Sequence, residues 1–227
     1  MTTPSSTSTR YGRDVRSHIP DGREIDGYFL LSDRDAAIWK RAAVHLHGRN
    51  NDTHTLYAYG IARALLAVTP DANEEVVLAA ILLHDTGWST VAEHEVLEAI
   101  APGGGRPDLV RKHEIEGARI AHSILLDLGS KSDVNERVVT IIDGHDSRLT
   151  AESIEDAIVK DADKLWRVTP HGIATVGAWF GLTHDESLRI TAATVQDSLF
   201  TDAARTMSRA LTAIASVDLA QQRQGLT

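Results

Sequence analysis

The stretch Ala79-Ala80-Ile81-Leu82-Leu83-His84-Asp85-Thr86-Gly87 decides how the chain is read. It closes a run that opens at Asn73 and passes through Val76-Val77-Leu78, apolar nearly all round, which predicts a helix buried on every side. That helix ends in a histidine and an aspartate. Burying a carboxylate beside five apolar residues is costly unless a cation or hydrogen bonds compensate it. Adjacent side chains on a helix point about 100° apart, so both reach one ion only where the helix is ending. Gly87 is expected to supply that ending. A core histidine with its own hydrogen bond beside a capped aspartate is the alternative, and the segment alone does not separate the two.

Outward from it the pattern stays helical. Ser32 is a plausible N-cap for a helix through Ala36, Ala37, Trp39, Lys40 and Val44 to near Gly48. A second runs from Asp52 to about Val68 with His54, Ala58, Ile61 and Leu65 on one face. A short helix near Ala92 to Ile100 precedes the loop Pro102-Gly103-Gly104-Gly105-Arg106-Pro107, and a long one follows from about Asp108 to Leu128, ended by Gly129. Ser132 is expected to cap a helix whose apolar face is Val138, Ile141, Ile142 and His145, and Ser153 to open another through about Arg167. Further helices run from His171 to Phe180 and from Thr183 onward, where Thr183-His184-Asp185-Glu186 is a capping box. The prolines at 4, 20, 70, 102, 107 and 170 fall between these stretches. With no strand-like alternation, the fold class is all-α, an irregular bundle of about eight helices. Residues 1–30, polar and turn-rich, read as a flexible lead-in, and 31–227 as a single helical domain with a motif-bearing core at about 50–170 and C-terminal helices over 171–220.

Composition limits the chemistry. The 227 residues carry 23 basic and 32 acidic side chains, a net charge of −9, with 42% hydrophobic and 24% charged residues, which suits one folded domain and excludes general disorder. With no cysteine, disulfides, thiolate zinc sites, iron–sulfur clusters and cysteine nucleophiles are excluded, so any metal is held by His, Asp or Glu. A pI near 5.6 argues against a long nucleic acid as partner, while a compact anion remains allowed. No apolar run is long enough to cross a bilayer and Met1 to Arg10 has no apolar signal core, so a cytoplasmic protein without a membrane partner is expected.

Eleven histidines in this setting make a His/carboxylate metal site the first hypothesis. His54 and His145 lie on the apolar faces named above, and His113 shares a face with Leu109, Gly117, Ile120 and Ile124. Each aims an ionisable ring at a core from a different helix, which is how bundle interiors build metal sites. A lone histidine of this kind is more often a core residue with one hydrogen bond; several beside a buried His-Asp are harder to dismiss. His45, His47, His94 and His122 fall on polar or mixed faces and read as surface residues. His94-Glu95 is no zincin signature, because Glu98 stands where the second histidine would be.

The order His54, then His84-Asp85, then Asp163 in Lys160-Asp161-Ala162-Asp163-Lys164-Leu165 resembles the H…HD…D signature of the HD-domain superfamily of metal-dependent phosphohydrolases. His113 and His145 resemble the two extra histidines that many members carry. The resemblance spans about residues 50 to 170. It implies a divalent metal (Mn, Co, Ni, Mg, Zn or Fe) held by His54, His84, Asp85 and Asp163, a place for a second ion at His113 and His145, and hydrolysis of a phosphate ester or anhydride of a small phosphorylated metabolite or nucleotide. Asp85 would then orient or deprotonate the attacking water. Helical geometry puts Asp161 on the core face with Ile154, Ile158 and Leu165, whereas the family pattern selects Asp163, so Asp161 is assigned a supporting place behind the ligands. Arg49, Arg148 and Lys164 are the expected phosphate contacts. Trp88 departs from the family, where a Lys, or a Glu slightly further on, commonly follows the His-Asp. Two other readings stay open: an HD-type di-iron oxygenase cleaving a C–C or C–P bond, and a non-catalytic binding module.

Overall fold

The computed structural model describes residues 15–220. The chain divides into two units, Met1–Leu30 and Leu31–Thr227. Within the first, the described residues form two short 3₁₀ turns, Arg16–His18 and Gly22–Glu24, the second capped by the Asp21 carboxylate. The lead-in reading of residues 1–14 lies outside the described residues.

In the second unit ten α-helices follow one another, with no strand among the described residues. They are α1 (Asp33–Ala42), α2 (Asn51–Leu66), α3 (Glu74–Leu83), α4 (Glu93–Ile100), α5 (Pro107–Asp127), α6 (Ser132–Ile142), α7 (Ile154–Trp166), α8 (Pro170–Phe180), α9 (His184–Gln196) and α10 (Asp202–Val217). The starts follow local chemistry. Ser32, Asn73 and Ser153 accept from the backbone three residues on, Thr183 and Glu186 form a reciprocal capping box, and Pro107 and Pro170 occupy first turns. Ser132 differs from expectation: it is the first helical residue, behind an uncapped Lys131, and its hydroxyl donates to Glu136 at 2.9 Å. Among the described residues no helix is long and apolar enough to cross a membrane.

α3, buried from Val76 to Leu83, packs against α1, α2, α6 and α7 and forms the centre of the largest apolar cluster. α7 is just as buried, although its sequence is charged. Each charge there has a partner. Glu155 accepts from the Asn73 amide at 2.9 Å and pairs with Arg137 at 2.8 Å, and Asp156 pairs with Arg148 at 2.9 Å. The Lys160 ammonium donates to the carbonyls of Gly144 (2.8 Å), His145 (3.1 Å) and Arg148 (2.8 Å). A polar helix can be central when its charges are paired inside the protein.

The end of α3 departs from a simple cap. After Leu83 the chain tightens into a 3₁₀ turn, His84–Thr90, packed along α5. Gly87 is not left-handed. Its role is closeness, since a Cβ there would collide with the backbone of His113 and Gly117, and a Cβ on Gly117 would stand 3.1 Å from the His84 carbonyl. This contact of two backbones brings His84 and Asp85 beside His113.

Candidate metal centre

Six of the ionisable residues singled out in the sequence meet in one place. The turn after α3 presents His84 and Asp85, the first turn of α2 presents His54, and α7 presents Asp163. His54 Nε2 lies 3.1 Å from His84 Nε2 and 3.2 Å from Asp163 Oδ1; Asp85 Oδ2 is 3.5 Å from His54 Nε2 and 3.6 Å from His84 Nε2. Donors about 2.1 Å from a common ion stand about 3.0 Å apart at right angles and about 3.4 Å apart in a tetrahedron. The cluster has that size.

A second cluster adjoins it. His113 on α5 and His145, just past α6, bring their Nε2 atoms to 3.3 Å, and Asp146 Oδ2 lies 3.5 Å from His113 and 3.8 Å from His145. Asp85 joins the two clusters, with Oδ1 3.8 Å from His113 and 3.6 Å from His145 while Oδ2 faces His54 and His84. The residues fit one divalent ion in each cluster, with Asp85 offering an oxygen to both.

The rings are held with Nε2 inward. His84 Nδ1 lies 2.8 Å from the Ile81 carbonyl and His145 Nδ1 2.9 Å from that of Ile142, so each donates its Nδ1 proton and leaves the Nε2 lone pair facing the cluster. The Nδ1 atoms of His54 and His113 are buried without a hydrogen-bond partner among the described residues. Aromatic packing sets those rings instead: His113 stacks on Trp88 at 3.9 Å, and His54 meets the edge of Trp166 at 4.5 Å. Trp88 also donates its indole N–H to Asp85 Oδ1 at 3.1 Å.

The charges at the centre call for a cation. Burial disfavours the ionised form of Asp85, yet His84, His145 and His54 hold it well below the carboxylate range; Asp163 is likewise held low against burial by Arg167, His54 and His84. Burial also opposes charge on the histidines, but Asp85 and Asp163 raise His84, and Asp146 and Asp85 push His145 up to about 10. His113 goes the other way, to about 4, through burial and the neighbouring His145. Buried anions thus draw positive charge onto the ring nitrogens, the demand that a divalent ion would meet.

Over the first cluster lies a narrow pocket of about 30 Å³. The Arg49 guanidinium sits there between the indoles of Trp88 (5.4 Å) and Trp179 (5.5 Å), on a left-handed backbone shared with Asn50 (φ 57° and 59°). Arg167 lines the same pocket, 3.8 Å from Asp163, and burial against its charge is outweighed by Asp163, Asp146 and Asp85.

Of the three cations expected as phosphate contacts, Arg49 lines the pocket over the ligand cluster. Arg148 does not: it is tied to Asp156, to Glu152 at 3.5 Å and to the Thr140 carbonyl. Lys164 points away from the ligands, donating to the Ser198 carbonyl at 3.0 Å over the Phe200 ring. Asp161 is corrected too. Its carboxylate accepts from the amides of Phe200 (2.8 Å) and Thr201 (2.9 Å) and holds the start of α10, with no contact to the ligand set. Two residues escaped the sequence reading. Asp146 is the second half of a His-Asp pair like that at 84–85, and Arg167 lies one turn beyond Asp163, so a signal existed for each.

Residues 51–167, just over half of the chain, match the family model described as HD domain. No curated protein and no solved structure matches.

Proposed function

The chain belongs to the HD domain family, and on that premise we propose that it is a metal-dependent phosphohydrolase acting on a small phosphorylated metabolite or nucleotide. The observation that carries the reading is Asp85, one oxygen facing His54 and His84 and the other facing His113 and His145, beneath a pocket holding Arg49 and Arg167. Divalent ions, when bound, supply Lewis-acid polarisation of the phosphoryl group and acidify water. The protein's own groups do the rest. Arg49 and Arg167 offer planar, permanently charged donors to phosphate oxygens, and the indoles on either side of Arg49 fix its plane. Trp88 holds Asp85 in the orientation that divides its oxygens. Both Asp85 oxygens face histidines, whereas only Oδ2 of Asp146 does and its side chain is 28% exposed against 12% for Asp85, so the other Asp146 oxygen is the better placed to accept a proton from the attacking water. A long nucleic acid is disfavoured by the net charge of −9 and the narrow pocket.

The shared carboxylate also suits a pair of irons, which keeps a di-iron oxygenase as the second reading. The test is a screen of nucleotides and phosphomonoesters on anaerobically purified protein loaded with Mn²⁺, Co²⁺, Ni²⁺ or Mg²⁺. Release of inorganic phosphate without oxygen is expected. Oxygen consumption by the iron form, with no phosphate released under any metal, would replace the first reading by the second.

A further inference from the structure

Beyond Arg167 and Trp179 the narrow pocket adjoins a larger cavity of about 340 Å³, within the range of small-molecule sites. The two share Ile100, Arg167 and Trp179. Val176 and Phe180 of α8 and Ile190 and Val195 of α9 give the larger cavity apolar walls, and its charged lining residues, Lys164 and Arg167, are both cations. Its hydroxyls are spent within their own chain. Thr191 donates to the Ser187 carbonyl at 2.7 Å, Thr194 to Ile190 at 2.8 Å and Ser198 to Val195 at 3.0 Å. An occupant therefore meets hydrocarbon along the walls and the positive charge of Arg167 at the end that opens toward the ligand cluster, while Lys164 gives its ammonium to the Ser198 carbonyl. A base or sugar, whose ring nitrogens and oxygens need donors when buried, would find the hydroxyl donors of the walls already taken.

We propose that this cavity is the leaving-group subsite, and that the substrate is a phosphomonoester of an apolar alcohol, aromatic or branched, with its phosphate between Arg49 and Arg167. The inference rests on the phosphohydrolase reading and narrows it. In the reaction the oxygen of water forms a new bond to phosphorus and the ester P–O bond breaks. The proton released by water ends on the alcohol oxygen, and nothing is oxidised or reduced. A different cavity, of about 250 Å³, opens on the Trp88 side of Arg49 and is lined by His45, His47, Ser89 and Glu93. Its polar groups make it the place where a nucleoside would go instead.

The test compares 1-naphthyl phosphate, glycerol 2-phosphate and adenosine 5′-monophosphate on the Mn²⁺-loaded full chain and on Thr194→Trp, which fills the cavity from an exposed helical position. Binding of 1-naphthyl phosphate to the metal-free proteins is followed by calorimetry. The expected result is the highest kcat/KM for the naphthyl ester, with its ratio to glycerol 2-phosphate falling about tenfold or more in the variant, as when a hydrophobic pocket loses fit. A ratio and an affinity unmoved by Thr194→Trp, or a preference for the nucleotide, would overturn the proposal. If no ester is hydrolysed, naphthyl phosphate binding that the variant abolishes would uphold the subsite while the phosphohydrolase reading fails. Absence of both hydrolysis and binding would remove both.

Discussion

Asp85 is the residue on which the centre turns, because a carboxylate has two oxygens and here each faces a different histidine pair. His54 and His113 were legible because each shares a helical face with apolar residues, and His84 because it closes the apolar run of α3; His145, expected on the apolar face of α6, lies beyond the helix end at Ile142 and reaches the centre from the loop. Asp146 carried only the signal of a second His-Asp pair, because past the end of α6 periodicity no longer says which way a side chain points. Choosing between Asp161 and Asp163 was beyond periodicity as well. Both are buried, since α7 has no solvent face, and only their partners tell them apart. The pocket arginines allow a direct check at this scale. Arg49→Ala and Arg167→Ala are each expected to lower kcat/KM for a phosphomonoester by roughly 10- to 100-fold, mainly through KM, corresponding to about 1.5–3 kcal/mol for a hydrogen bond to a charged group. Steady-state kinetics with metal analysis would show it; wild-type kinetics in both variants would remove the arginines from phosphate binding.

Among the elements, the junction of α3 with α5 is set by glycines and the loop after α6 by a buried lysine. The sequence reading placed Gly87 at the helix end but could not show that its missing side chain makes room for the α5 backbone, because that contact is between residues far apart in the chain. Gly87→Ala is expected to cost about 2–4 kcal/mol, at the upper end of overpacking penalties because the obstacle is backbone. Denaturant unfolding would measure it, and a loss below about 0.5 kcal/mol, the level of a neutral surface change, would contradict the close packing. Lys160 ties three carbonyls around His145, and Glu114 accepts from the amides of Asp146 (2.9 Å) and Ser147 (2.7 Å) on the same loop. Lys160→Met takes the ammonium from all three carbonyls, of which Gly144 keeps the Arg148 amide as donor, so a loss of about 2–4 kcal/mol is expected together with weaker metal uptake at the His113 side. Wild-type stability and metal content in that variant would show that the loop holds its shape unaided.

At the scale of the whole molecule, an all-α bundle follows from the 3.6-residue apolar period, from caps at predicted places and from a central α3 that has no polar face. α7 was the exception. A core face through Ile158 and Leu165 was legible, but the burial of its charged residues was not, because it depends on Asn73, Arg137, Arg148 and three loop carbonyls that meet those charges. Such partnering makes stability depend on pH. Burial pushes the Glu155 carboxyl up, but the Asn73 amide and Arg137 outweigh it, so its pKa lies below the unfolded value of 4.5. The sign follows: this contribution is complete above about pH 4.5 and is lost as the pH falls through the lowered folded value. Glu155→Gln is expected to lower stability near pH 7 and to flatten its fall below pH 4.5, measured by denaturant unfolding across that range. An acid limb as steep as that of the wild type would assign the dependence to other carboxylates.

Metal content per chain decides most directly whether Asp85 joins two ions. Protein purified anaerobically, saturated with Mn²⁺ and freed of excess metal is expected to hold two ions per chain, and the His113→Ala, His145→Ala double variant one, because His54, His84 and Asp163 remain. One ion in both proteins, even with metal in excess, would contradict the shared site and leave the second cluster as a hydrogen-bonded support for the first.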